Sequence, residues 1–499
     1  MRHIIILLSI IVVLSYVLFS FSEKTSLRFG LTAQDISTIY PWDILDLVTG
    51  SVLENIYEGL TKLSETGTSI EPGLAEKCEY SNNFKTWTFY LRKNVKFHNG
   101  ESFNADSVIE TFKYVKNLPV QVSKIDDYTI KITMDEPNAA LPITLAQAYY
   151  SIASKATIES YKKKNANHAY GTGPFKLALW EKGKKIILAK NTDYWGTKKA
   201  KIDSVILIPF KTNDALLNAL INGDIDFTDG IVPNNIPVIR TKPKLYFKAE
   251  TGFNFAYLSF NISRKPFSNK MVRKAIAYAI DKKKLINKYF YGGQAGIPAK
   301  SCIPPTMFAH YRDLPEYEYN PALAKKILAE AGYPDGFQTT LIPTGAVRPY
   351  MPNPIAIANE IKNQLAEINI KVTITPANSW KHFLEITATK PDYDMAMLGW
   401  IADTGDPNDL LTAILSTQSI GVHNSSLWSN KEFDNILIQA RSQPYEKRIE
   451  LYKKAQMIVY EEVPLVPLFH SFQLGAWNEK VKGFKLHPLG LLFFNNVYY

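Results

Sequence analysis

Two spacings of apolar residues alternate along this chain, and the switches between them outline its elements. Leu27-Arg28-Phe29-Gly30-Leu31 reads as the first strand of the mature protein. From Leu53 to Leu63 the pattern passes from helix to loop through Tyr57-Glu58-Gly59-Leu60. Strict alternation returns in Thr86-Trp87-Thr88-Phe89-Tyr90-Leu91-Arg92, followed by a turn at Asn99-Gly100 and a helix from about Ala105 to Lys116. Val122 to Met134 reads as a hairpin turning at Asp126-Asp127. The region from about 50 to 165 is therefore expected to form a compact insert of strands and helices. Beyond it, the strand Val205–Pro209, a helix from about Asp214 to Asn222 and a strand after Gly223-Asp224-Ile225-Asp226-Phe227 describe an α/β lobe.

A second unit begins near Phe253–Phe260. Met271, Ala275, Ile276, Ala279 and Ile280 form a helical stripe. Asn320-Pro321 opens a helix that stops at Gly332, by the cap chemistry of both ends. Ile355–Ile368 is amphipathic and precedes a strand, Lys371–Thr375, and the last long helix spans about Ile449 to Tyr460. Strands in the final 35 residues that return to the first lobe would give two connections between lobes, and such paired hinges permit closure.

The N-terminus adds a targeting signal. Met1-Arg2-His3 is basic, Ile4 to Phe21 is apolar and uncharged, and Ser20-Phe21-Ser22 offers small residues for cleavage before Glu23. The segment 1–22 is read as a signal peptide, and its length leaves open retention as an uncleaved anchor. No later stretch is long enough to span a bilayer. The 499 residues imply two or three domains. Net charge is +10, carried mostly by scattered lysines with only ten arginines and no recognition motif, which argues against nucleic acid as a partner. Two cysteines, Cys78 and Cys302, exclude a disulfide scaffold and a cysteine-rich metal centre, and they are not expected to pair.

Candidate chemistry concentrates in Gly399-Trp400-Ile401-Ala402-Asp403-Thr404-Gly405-Asp406-Pro407. Asp406 before Pro407, with Asp409 three residues on, reads as a helix cap followed by an acid in the first turn. Asp403 lies outside that cap, close to an indole, where a carboxylate can grip a cation in a partly dry cleft. Spacing alone favours a turn aspartate bonding its own backbone over a ligand role, by about two to one. Catalytic signatures are missing: no His-Glu-x-x-His, no Gly-x-Ser-x-Gly, no phosphate-cradling loop and no metal-spaced histidine pair. Gly171-Thr172-Gly173 lacks the third glycine of a nucleotide loop, since position 176 is Lys176. The balance favours binding over catalysis, with no cofactor.

Several segments together resemble the periplasmic solute-binding proteins of the oligopeptide and dipeptide class, the receptors of ATP-driven importers. They are Glu71-Pro72-Gly73-Leu74-Ala75-Glu76, the stretch Trp87 to Gly100, Gly171-Thr172-Gly173-Pro174-Phe175, Asn222-Gly223-Asp224-Ile225-Asp226, Val272-Arg273-Lys274-Ala275-Ile276, Ala329-Glu330-Ala331-Gly332-Tyr333-Pro334 and Val463-Pro464-Leu465-Val466-Pro467-Leu468. The resemblance implies an α/β, two-lobed fold with hinge strands and an extra subdomain on the first lobe. On that pattern lobe I would be 23–250 plus 472–499, including the insert at about 50–165, and lobe II 251–471. Within the resemblance, Asp403 corresponds to the aspartate that holds a peptide's α-ammonium group, which reverses the reading from spacing alone. Gly345-Ala346-Val347-Arg348-Pro349-Tyr350 resembles the dipeptide branch, where the arginine clamps the ligand carboxylate. It implies Arg348 as that clamp, Tyr350 beside it, and Trp380 and Trp400 as pocket walls. The implied protein is a monomeric periplasmic receptor for short peptides that serves a membrane permease and its ATPase subunits. Longer peptides, nickel chelates, haem, antimicrobial peptides and an exported hydrolase are the competing expectations.

Overall fold

A computed structural model describes residues 25–32, 35–116, 118–164, 168–345, 347–389 and 391–499. The apolar N-terminal segment 1–22 lies outside the described residues. Among the described residues no helix is long and apolar enough to cross a membrane.

One fourteen-residue strand, Leu465–Asn478, ties the molecule together. Its first half pairs antiparallel with Asn254–Phe260 and Gly296–Pro298. Its second half pairs antiparallel with Leu245–Thr251, in register from Thr251 opposite Phe472 to Leu245 opposite Asn478, and with Phe227–Thr228. On one side the sheet continues through Met395–Ile401, Phe337–Pro343 and Ile370–Ile374. On the other it continues through Ser26–Thr32, Ser204–Phe210, Lys185–Lys190 and Phe175–Glu181. The chain passes from one half to the other at Gly252-Phe253 and again within the long strand. Every residue of Asn254–Phe260 is buried, which its apolar run Phe255–Leu258 anticipates, because both faces of a central strand are covered.

The two crossings are bonded to each other. Asn254 Nδ2 donates to the Ser471 carbonyl at 2.9 Å, and Asn254 Oδ1 accepts from Ser471 N and Oγ, both at 2.9 Å. All these atoms are buried, so each bond is sheltered from water and specifies one strand alignment.

Residues 75–133 build a separate four-stranded antiparallel sheet. Phe89, Ile130 and Ile132 from its strands close a core with Phe103 and Val108. The expected hairpin is present as Gln121–Asp126 and Thr129–Thr133, with Asp126 Oδ1 accepting from Tyr128 N at 2.8 Å to set the turn. Two expected boundaries shift. The helix at Ala105 stops at Phe112, and Lys113-Tyr114 turn the chain out of it. The helix expected from Leu53 instead spans Leu47–Leu53, capped by Asp46, whose side chain accepts from Thr49 N. Cys78 and Cys302 are each free.

Candidate functional site

The strand Met395–Ile401 delivers the tryptophan turn. Tyr350 lies against the backbone of Gly399, where a Cβ would come 2.5 Å from both the Tyr350 ring and the Phe255 carbonyl. Trp400 is paired across the sheet with Phe255 and meets His423 edge-on, ring centroids 4.9 Å apart. Its indole N–H is buried and has no acceptor among the described residues. An orphaned buried donor carries a desolvation penalty that a ligand oxygen could relieve.

Past Ile401 the chain turns. Asp406 caps the helix Pro407–Leu415 by accepting from Asn408 N at 2.9 Å, and it forms a buried ion pair with Arg448. Its role is therefore architectural. Asp403, by contrast, presents an exposed carboxylate with no hydrogen bond or ion pair to another described residue. Its backbone is held from both sides: the N–H donates to Asp409 Oδ2 at 2.8 Å, and the carbonyl accepts from Gln147 Nε2 at 2.9 Å. The carboxyl reaches solvent on one side, while the protein around it holds its pKa above the usual carboxylate range.

The second cluster follows the strand Phe337–Pro343. Arg348 and Met351 exchange backbone hydrogen bonds at 3.1 and 2.8 Å, closing a tight turn. The Pro349 carbonyl accepts from Ser471 Oγ at 3.0 Å, so this turn is fastened to the long connecting strand. The Arg348 guanidinium carbon lies 4.3 Å from the Trp380 ring centroid, and Trp380 stacks on Phe383 with planes 7° apart. Arg348 Nε is buried without an acceptor, and Arg348 forms no ion pair with a described residue. Burial pushes the Tyr350 phenol up to about 12, with the Arg348 charge opposing the rise.

The structure joins Arg348 to Trp380, and joins Tyr350, two residues on in the same turn, to Gly399, the neighbour of Trp400. Asp403 stands three residues further on, with no contact to Arg348 among the described residues. Reasoning from sequence missed Gln147 and Asp409, which hold the Asp403 turn, and Gly67, whose carbonyl abuts Gly405. The acid at 409 was legible only as a helix-start residue, and no local pattern reports a contact between residues 67 and 405. A cavity of 370 Å³ lies elsewhere, bordered by Glu58, Lys62, Arg92 and Trp195, and contains none of the five candidate residues. Among the described residues, no group of three or more His, Cys, Asp or Glu side chains is placed to hold a metal ion.

Residues 69–421 match the model of the bacterial extracellular solute-binding proteins, family 5. The chain belongs to this family. Di/tripeptide-binding protein 1 of Pseudomonas aeruginosa is 31% identical over 479 residues, covering 89% of this chain and 88% of the relative. Heme-binding protein A of Haemophilus influenzae is also 31% identical, over 474 residues, covering 88% of this chain and 85% of the relative. Among solved structures, the periplasmic binding protein DppA of Helicobacter pylori in complex with the peptide STSA superposes with a TM-score of 0.79 at 31% identity, covering 95% of this chain and 98% of that one. The solute-binding protein described here shares the two-lobed α/β fold of that family.

Proposed function

We propose that this solute-binding protein captures short peptides, dipeptides foremost, and delivers them to the permease of an ATP-driven importer in the periplasm. The observation that carries the reading is a pair of unanswered charges, the Asp403 carboxylate and the Arg348 guanidinium, set on two turns joined through Tyr350, Gly399 and Trp400. A zwitterionic peptide loses hydration at both ends when it is enclosed, and each end then needs an opposite charge. Asp403 answers the α-ammonium and Arg348 the carboxylate, each bond contributing about 1.5–3 kcal/mol. Trp380 and Trp400 wall the site, and Tyr350 supports the guanidinium. The remaining affinity comes from backbone hydrogen bonds, which tolerate varied side chains.

In this reading lobe I comprises 23–250 and 472–499, lobe II comprises 251–471, and ligand enters between them. The protein acts as a monomeric receptor and not as an enzyme. Relatives of both kinds, the di/tripeptide-binding and heme-binding proteins, are equally identical to it, so haem is the second reading. Titration calorimetry against a dipeptide, a tripeptide and a pentapeptide tests the first reading, with absorption spectra after haem addition as the control. Tight dipeptide binding and no haem spectral shift are expected. Binding confined to peptides longer than three residues, or to haem, contradicts it.

A further inference from the structure

The sheet end at Leu245 and Asn478 carries charge and aromatic surface that peptide capture does not use. It lies six residues along its strands from the crossing at Thr251 and Phe472, about 20 Å away. Tyr246 pairs with Trp477 there, and the Lys482 ammonium sits 5.3 Å from the Tyr246 ring centroid. Lys482 exchanges backbone hydrogen bonds with Tyr498, whose ring centroid lies 4.6 Å from the Lys201 ammonium. The Tyr499 hydroxyl donates to the Ser26 carbonyl at 3.0 Å, and the Lys244 carbonyl accepts from Glu479 N at 2.9 Å. These contacts make one continuous surface. Its three tyrosines are 43–50% exposed, and Lys201, Lys244, Lys480 and Lys482 are all exposed. Beside them Tyr246, Phe247, Trp477 and Phe484 line a groove of 290 Å³.

The lysines of this surface are left unanswered. Elsewhere lysines meet carboxylates, as Lys270 meets Glu462, Lys284 and Lys288 meet Glu360, and Lys124 meets Asp106 and Asp127. Lys201, Lys244, Lys480 and Lys482 form no ion pair with a described residue, and two of them rest over tyrosine rings instead. A ring beneath an ammonium leaves its charge in place, whereas a carboxylate cancels it. The acids alongside are committed to the fold. Asp203 accepts from Thr25 N at 2.8 Å, and Asp226 accepts from Arg28 Nη2 at 2.6 Å and Tyr499 Oη at 3.1 Å. Asp224 and Glu479 remain, two carboxylates against four ammonium groups. We propose that this sheet end is a docking face for membrane surfaces rich in anionic phospholipid. The ammonium groups meet lipid phosphates, and the amphipathic tyrosine rings lie at headgroup level between water and acyl chains. A nucleic acid would call for arginine forks, and the one arginine here, Arg28, is already held by Asp226. Thr25 and Ser26 enter the fold at this end, shortly after the apolar run Ile4–Phe21 in sequence, so a chain exported through a membrane has this face nearest to it. The distance to the crossing leaves the Arg348 and Asp403 turns free while the face rests on lipid.

Sedimentation of the full chain with lipid vesicles tests this. Vesicles of phosphatidylcholine alone are compared with vesicles containing about one-third phosphatidylglycerol, at low salt and at about 0.5 M salt. Binding is expected to be at least about tenfold tighter to the anionic vesicles and to be lost at high salt. Lys201→Gln with Lys482→Gln should weaken it by about 25-fold, because each lysine at an anionic surface contributes about fivefold. Lys325→Gln with Lys326→Gln makes the same charge change on the exposed side of the helix Pro321–Glu330 and should weaken it by less than about twofold. Tyr246→Ser with Tyr498→Ser should weaken binding while preserving its salt dependence. All of these positions are exposed, so thermal midpoints should stay at the wild-type value. Equal binding to both vesicles, equal losses in the two lysine pairs, or binding to duplex DNA or polyglutamate as tight as to anionic vesicles overturns the inference. None of these outcomes bears on peptide capture, which calorimetry reads separately.

Discussion

Replacing Gly405 by alanine adds one methyl group at the place where the tryptophan turn meets the Ser64–Ser69 loop. A Cβ built there lies 2.0 Å from the Gly67 carbonyl oxygen and 3.4 Å from the Thr68 Cα. Both sides are backbone, and Gly67 is held in a left-handed conformation (φ 68°) with its N–H on the Ser64 carbonyl at 2.8 Å, so neither yields as a side chain would. The contact must open by about 1 Å, an overpacking penalty of about 1–3 kcal/mol. Gly405 itself lacks a positive φ, so alanine adds no strain within its own turn. The penalty falls on the meeting of loop and turn and leaves each part's own core untouched. Dipeptide affinity should fall by about 5- to 150-fold, while the thermal midpoint without ligand stays near wild type. Calorimetry and a thermal melt on the same preparation decide it. Unchanged affinity would show that loop and turn are apart in the bound state, and a large loss of ligand-free stability would show that the contact belongs to the fold.

Three further outcomes follow from the same geometry. Arg448→Met strands the buried Asp406 carboxylate, so stability should drop by about 3–5 kcal/mol in urea unfolding, with a smaller loss on adding Asp406→Asn. His470 and His487 are buried and His98 is half-buried, and all three are held neutral, with pKa values pushed down to about 4 by loss of solvent. The unfolded chain takes up those protons first, so stability should be lost progressively as pH falls from about 6.5 to about 4, by up to about 1.4 kcal/mol per pH unit for each histidine. Urea midpoints that do not change across that window contradict their neutral burial. Trp380→Leu removes the ring beneath the Arg348 guanidinium, a cation–π contact of about 0.5–2 kcal/mol, and should weaken peptides with a free carboxylate more than their amides.

Much of the architecture was written in local pattern. Thr86–Leu91 alternates because one face meets Phe103 and Val108, and Phe255–Leu258 is apolar throughout because both faces of its strand are covered. The Asp406-Pro407 cap was readable from chemistry that needs no tertiary partner. The site was legible only in part. Asp403 and Arg348 stand out as candidates by their flanking motifs, while spacing alone makes each an ordinary turn or surface residue. What escaped depends on distant chain segments meeting: Gln147 on the Asp403 carbonyl, Gly67 against Gly405, Ser471 beneath Pro349. Asp409 shows the limit most clearly. As a helix-start acid it satisfied every local rule, and its bonds to the Asp403 turn appear only once the backbone has folded back on itself.

The central claim is that two opposite charges grip the two ends of one small peptide. Its most direct test is calorimetry of one dipeptide in four forms: free, N-acetylated, C-amidated and doubly blocked, against wild type, Asp403→Asn and Arg348→Ala. The account predicts that wild type discriminates against each blocked end, that Asp403→Asn loses discrimination only at the amino end, and that Arg348→Ala loses it only at the carboxyl end. If either variant discriminates at both ends as strongly as wild type, the residue it replaces does not hold the ligand and the account is wrong.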